Sequence, residues 1–319
     1  MANVRLFMCL SLVDSLIRRH LLDLLELIQL PCRLLIPTSV LAENMAQEVI
    51  MTAAAQAFPG ICRQWRQFRK LSQLDLALAA NVSQRHVSWL ETGRSQPSRE
   101  MVVRLSEALD VPLRERNVWL RSAGFAAGYN ESQLDEPTMA PVLDALNKVL
   151  SHHDPLPAVV IDRFWNVRMK NTAADLLLSV GGDPESLLSD IGAKGEFNLA
   201  LLTLHPNGLR RFIANWDAAA PTFVRRLRIE ALATGDAEVR ERFEYYIELA
   251  GTFSISDSIS DTLLPVLPLE LNINGLELSL FTVISTFGTP QDITTDELRI
   301  ETFYPANAAT DDFFRSAAV

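Results

Sequence analysis

The sequence predicts an α+β multidomain chain, in which an N-terminal all-α helix-turn-helix domain is followed by a mixed α/β domain. Three observations carry that reading. Charge splits by region: residues 61–123 hold eleven Lys or Arg against six Asp or Glu, residues 139–319 hold fourteen against twenty-five, and the whole chain carries −10. Attraction to phosphate follows the local sign, because charges more than a Debye length apart (~10 Å) are largely screened. A basic head therefore precedes an acidic body. Next, Ser72 to Leu90 reads as two short helices joined at Asn81. Last, Leu267 to Leu280 alternates apolar and polar residues on both sides of Asn274-Gly275.

Length and composition fit this division. The 319 residues suffice for two domains of about 100–200 residues each, and 48% apolar with 21% charged residues is ordinary for a globular chain. Cys9, Cys32 and Cys62 lie far apart, with no CxxC pair and no histidine at metal-ligand spacing. That usage argues against a disulfide scaffold and against structural zinc, and a reducing cytoplasm is the simplest compartment.

The elements follow in order. Residues 1–57 form an N-terminal extension to which no function is assigned. It is leucine-rich, but Asp14, Arg18, Arg19, Asp23 and Glu26 interrupt any run long enough to span a bilayer. No small-residue cleavage site follows a single apolar run, which argues against a secretory signal. An amphipathic helix or two is one reading, and a segment upstream of a start at Met45 or Met51 is the other. No membrane partner is expected.

Residues 58–123 read as the helix-turn-helix domain. Ser72 with Asp75 three residues on is an acidic variant of the capping box. Asn81 stands where the turn needs a residue tolerant of left-handed φ, for which glycine is easiest and asparagine next. Ser83 then caps a second helix whose Val87 and Leu90 share the core face, while Gln84, Arg85, His86, Ser88 and, further on, Arg94 lie outward. Two short helices with the second polar outward can place side chains on base edges in the major groove. A solvated helix pair explains the same polarity more blandly. Residues 124–139, rich in Gly, Asn, Ser and acidic residues and ending near Pro137 and Pro141, read as a linker.

Residues 140–319 form the mixed domain. Ala158–Asp162 and Asn166–Lys170 are short strands joined by a tight turn, and a helix starts at Thr172. Asp162 can bond its own turn and Asn171 can cap that helix, without any ligand. Asn198 to about Ala250 is mostly helical, broken at His205-Pro206-Asn207-Gly208. Asn274-Gly275 supplies the two positive-φ positions of a type I′ hairpin turn, and Leu298–Tyr304 is a further strand.

The run from Leu71 to Val111 resembles the Cro/phage-repressor-type helix-turn-helix, or XRE family, almost end to end. The matching elements are Ser72-Gln73, Ala77-Leu78-Ala79-Ala80, Val82-Ser83-Gln84, Trp89-Leu90-Glu91 with Gly93-Arg94, Pro97-Ser98, and Leu105 with Ala108-Leu109. The resemblance implies double-stranded DNA as partner. Gln73 and the helix from Ser83, with Ser88 on its outer face, would face it; Gln84, Arg85 and His86 fall where the family reads bases, and Arg94 falls where it touches phosphate. Asn81 departs from the commoner glycine. Glu91, a carboxylate beside a phosphate backbone, is expected to bond backbone or an arginine inside the domain. Trp89 is expected at the helix edge or against sugar-phosphate.

Residues 157–174 resemble the opening of a PAS-like sensor domain. The whole arrangement over residues 60 to 315 is similar to the MmyB-like regulators, through His205–Arg210, Asn215-Trp216-Asp217, and Phe287 to Pro305. That likeness implies a PAS-like domain binding a small apolar ligand such as a fatty acid, and no other cofactor. Trp165, Trp216, Phe223 and Phe281 are the aromatic candidates to line its pocket, and each reads equally well as core.

The body carries no GxSxG, P-loop, GxGxxG or HExxH, so it is not read as an enzyme. His152-His153-Asp154 makes a poor metal set, since adjacent residues point in different directions. Two alternatives to a ligand-responsive regulator remain open. A constitutive repressor whose body only dimerises would show a packed core without a cavity, and an enzyme fused to the head would show convergent His, Asp and Ser. A homodimer is expected, because one helix pair reads few base pairs and two copies about one DNA turn apart (~34 Å) supply useful affinity.

Overall fold

The computed structural model describes residues 57–193, 197–251 and 266–317, so the two readings of the N-terminal extension lie outside the described residues. The head comprises α1 (Phe58–Phe68), α2 (Gln73–Ala79), α3 (Gln84–Glu91), α4 (Arg99–Ala108) and α5 (Leu113–Ser122). Serines set three of the starts. Ser72 accepts from Asp75 N while Asp75 accepts from Ser72 N, completing the reciprocal capping box, and Ser83 and Ser98 cap α3 and α4. Asn81 makes the turn between α2 and α3 at φ 52°. Every helix turns its apolar stripe inward onto Phe58, Leu76, Val87, Leu90, Leu105 and Trp119, all at most 2% exposed. Phe58 meets the Trp119 ring edge-on at 5.8 Å.

The body is built on a five-stranded antiparallel sheet in the order β2-β1-β5-β4-β3, with β1 Ala158–Ile161, β2 Val167–Lys170, β3 Leu269–Ile273, β4 Leu276–Ser285 and β5 Arg299–Pro305. Asn274 (φ 54°) and Gly275 (φ 90°) form the expected hairpin turn, and Ile273 pairs with Leu276 across it. Strand alternation divides the core into two layers. Ala158, Val160 and Ile300 face α6 (Ala140–His153), where Leu146 and Leu150 cover them. Val159 and Ile161 face the opposite way, onto a layer that includes α9 (Leu199–Leu204), α10 (Trp216–Ala233) and α11 (Ala237–Ala250). Between β2 and α9 run α7 (Thr172–Val180) and α8 (Pro184–Asp190). The short α12 (Ile293–Glu297) leads into β5, and α13 (Ala308–Ala317) buries Phe314. Asn171 fixes the start of α7: its side-chain oxygen accepts from Ala174 N and Ala158 N, joining helix to strand. No helix among the described residues is long and apolar enough to cross a membrane.

Residues 124–139, expected as a linker, are pinned along their length. Asn117 of α5 accepts from Gly128 N and Tyr129 N and donates to Tyr129 O. Asn130 bridges to Asp292, and Ser132 donates through backbone and hydroxyl to the Asp292 carboxylate. The segment takes a fixed path because the backbone groups of Gly128, Tyr129, Ser132 and Gln133 find side-chain partners.

Candidate nucleic-acid interface and ligand cavity

The head presents one polar surface at α3. Gln84 and Arg85 are exposed, with His86 and Ser88 half-buried beside them, and Arg94 is exposed beyond the helix end. The Arg85 guanidinium lies 4.4 Å over the Trp89 ring, which limits its rotamers before any partner arrives. Two other sequence-predicted residues are engaged inside the head. Ser83 spends its hydroxyl on His86 N, and Gln73 donates to Glu91 at 2.9 Å. Glu91 has the internal role expected of it. Its buried carboxylate receives a bidentate Arg66 fork, Nε at 2.6 Å and Nη2 at 2.9 Å, and Arg63 donates to its carbonyl. Cys62 lies close by, and burial, with the Glu91 charge second, pushes its thiol up to about 12.

The body holds an apolar cavity of about 60 Å³ between the sheet and the α7–α9 layer. Val159 and Phe303 line it from the centre of the sheet, Leu271, Ile273 and Leu280 from the hairpin, and Leu178 and Leu202 from the helices. Among the described residues, Asn198 and Thr203 supply the polar side chains of its wall. Asn198 is fully used, donating to Phe164 O and Asn166 Oδ1 and accepting from Leu201 N.

The four aromatics expected to line a pocket do not border this cavity. Trp165 is buried at φ 69°, with Nε1 donating to Glu230, Phe223 edge-on at 4.9 Å and Arg226 over its ring at 4.1 Å. Trp216 lies half-buried under Arg210. Phe281 stacks on Tyr304 at 5.6 Å, on the opposite face of β4 from Leu280. Their placement has a physical basis: rings with polar edges or cation partners settle where those partners are, and branched aliphatics fill the space between sheet and helices. His153, part of the weighed metal set, donates to the Phe303 carbonyl and packs on Tyr304.

Family models match both parts of the chain. A helix-turn-helix model covers residues 63–116, and the model of the MmyB-like transcription regulator ligand binding domain covers residues 142–317, more than half of the chain. The chain belongs to the MmyB-like family. No curated protein matches it. It is a DNA-binding transcription regulator with an XRE-type head and a PAS-like ligand-binding domain.

The MmyB-like domain grips the head through groups that sequence reasoning missed. Arg114 of α5 pairs with Glu297 of α12 at 2.6 Å and with Glu131. The Glu297 hydrogen bond, foremost, holds the guanidinium pKa above its ordinary range, and Arg114 in turn holds the Glu131 carboxyl below its own. Glu115 accepts from Gly235 N at 2.7 Å, and its pKa is raised mainly by burial. Asp296 accepts from Leu113 N at 3.0 Å. Arg163, in the β1–β2 turn, pairs with Asp236 at 2.7 Å beside this contact. A polar cleft of about 330 Å³ lies among Arg114, Glu131, Arg163, Arg168 and Glu297. No local pattern distinguishes these charges from solvated ones, since their partners lie up to 183 residues away.

Proposed function

We propose that the chain binds operator DNA as a homodimer and releases or tightens that grip when an apolar ligand of the fatty-acid class enters the MmyB-like domain. The observation that carries the ligand class is the cavity wall, aliphatic apart from the phenyl rings of Phe197 and Phe303 and two polar side chains, of which Asn198 is already engaged. Such a wall rewards an alkyl chain and gives nothing to a polar one. It also lacks the convergent His, Asp and Ser that a hydrolytic site needs, which favours sensing over catalysis. Small-molecule sites enclose roughly 300–1,000 Å³, so a ligand must widen this space about five-fold, parting α7–α9 from the sheet. That requirement links occupancy to shape. A ligand shifts DNA affinity only if it binds the two states of the protein differently.

On the DNA side, Gln84, Arg85 and His86 read base edges with Ser88 beside them, and Arg94 meets phosphate. Gln73 and Ser83 approach the backbone with the atoms that the head leaves open. An intracellular, non-membrane location follows from that partner. The test is calorimetric titration of the whole chain with a long-chain fatty acid, with and without an operator selected from random DNA. We expect saturable binding and a change of about 5–150-fold in fatty-acid affinity when operator is present, the usual range of coupling. Equal affinity in both conditions removes the regulatory claim. No binding by any apolar ligand leaves the repressor that only dimerises.

A further inference from the structure

The helical hairpin α10–α11 forms one layer over the sheet. Ala220, Val224 and Leu227 of α10, and Val239, Phe243, Tyr246 and Ala250 of α11, are buried on its inner side. The outer side is neither buried nor uniformly polar. Along α10, Arg225, Ile229 and Leu232 stand at spacings of four and three, hence on one face, with Arg228 beside them. Ile229 is 60% exposed and Leu232 69%, unusual for large aliphatics in a helix that has a well-filled inner face. Along α11, Glu241, Glu244 and Glu248 share the outward face with Tyr245, which is 49% exposed.

Apart from Arg240 and the Glu238-paired Arg242 of α11, the outward charges are sorted by helix. Among the described residues Arg225 and Arg228 have no ion-pair partner, and neither do Glu241, Glu244 and Glu248. Like charges at these spacings repel along each helix. An exposed apolar strip with a basic row on one side and an acidic row on the other is self-complementary under a two-fold rotation. DNA would be repelled by the glutamate row, and a partner of single charge would match only one helix.

We propose that this face docks a second copy of the chain, the arginine row of each protomer against the glutamate row of the other, with Ile229, Leu232 and Tyr245 at the centre. The proposal rests on the dimeric reading above and gives that dimer its surface. It also places the interface on the hairpin that packs against α9, one of the elements that must part from the sheet if the cavity is to open.

The test uses the full chain and two charge-reversed variants, R225E/R228E and E241R/E244R, measured singly and mixed by sedimentation velocity over a concentration series. The parent is expected to dimerise, each variant alone to dimerise at least ten-fold more weakly, and the equimolar mixture to regain the parent's association to within about three-fold. Recovery on mixing also shows that both variants are folded. A parent that dimerises while either variant does so equally well, or a mixture no better than its components, overturns this surface and leaves the dimer standing. A parent that stays monomeric, alone and on operator, overturns both.

Discussion

Replacing Glu91 with alanine removes the centre of a small ionic knot at the C-terminal end of α3. The carboxylate is fully shielded from solvent and accepts from Arg66 twice, at 2.6 and 2.9 Å, and from Gln73 at 2.9 Å. Arg66 itself is only 12% exposed, so deleting Glu91 leaves its charge largely shielded from water. Breaking a buried pair by deleting one partner costs about 3–5 kcal/mol, because the other charge stays behind unpaired. An exposed pair such as Arg315–Asp311 would lose at most ~1 kcal/mol. Urea unfolding is followed by tryptophan emission, to which the head contributes Trp65, Trp89 and Trp119 of the five tryptophans. With slopes of ~1–3 kcal/mol per M, the midpoint should fall by about 1 M or more. The double variant R66M/E91M removes both charges together and should recover more than half of the loss. An E91A chain within about 1 kcal/mol of the parent, or a double variant less stable than E91A, would refute this account of the knot.

Arg85→Ala should cost roughly 1–3 kcal/mol on operator and little on random DNA, whereas Arg94→Ala should weaken both alike and lower the salt slope by about one, as fluorescence anisotropy across salt concentrations will show. Gly235→Ala puts a methyl carbon 2.6 Å from Glu115 Oε2. The Gly235 N–H should then lose its acceptor at a cost of about 1–3 kcal/mol, and calorimetry should resolve separate head and body transitions. Glu301 lies buried on β5, and burial, opposed by Arg226, raises its carboxyl pKa above the ordinary 4.5. The sign is then fixed: a raised carboxyl favours folding below pH 4.5, and that contribution is lost as pH rises through the folded value. Glu301→Gln should therefore be more stable than the parent at pH 8 and should lose that advantage near pH 4, by urea denaturation at both.

Legibility in the sequence followed the range of the interactions. The Ser72–Asp75 box, the left-handed Asn81, the Asn171 cap and the Asn274-Gly275 turn each close within three residues, so local chemistry announced them. Glu91 was readable in kind, since a carboxylate at a DNA face needs an internal partner, but nothing local named Arg66. The cavity found in the structure was not legible, because its wall depends on packing between distant segments. Trp165 follows Glu230, sixty-five residues on, and the cavity falls to leucines that look like any core. The head–body contact was illegible for the same reason. Arg114, Glu131 and Glu297 are charges in polar surroundings until the fold brings them together.

One of those contacts bears on the order in which the chain is made. The first residue of α5 hands its N–H to Asp296, and the cap position itself is a proline without a side-chain acceptor. The head's last helix thus waits for a carboxylate translated 183 residues later. At about 5–20 residues per second on the ribosome, that interval is roughly 10–40 s. During it α5 has an uncapped start, worth about 1 kcal/mol, and lacks the Glu297 partner of Arg114. A nascent head therefore starts α5 with less support than a finished one, and gains that cap only when the ligand-binding domain is nearly complete.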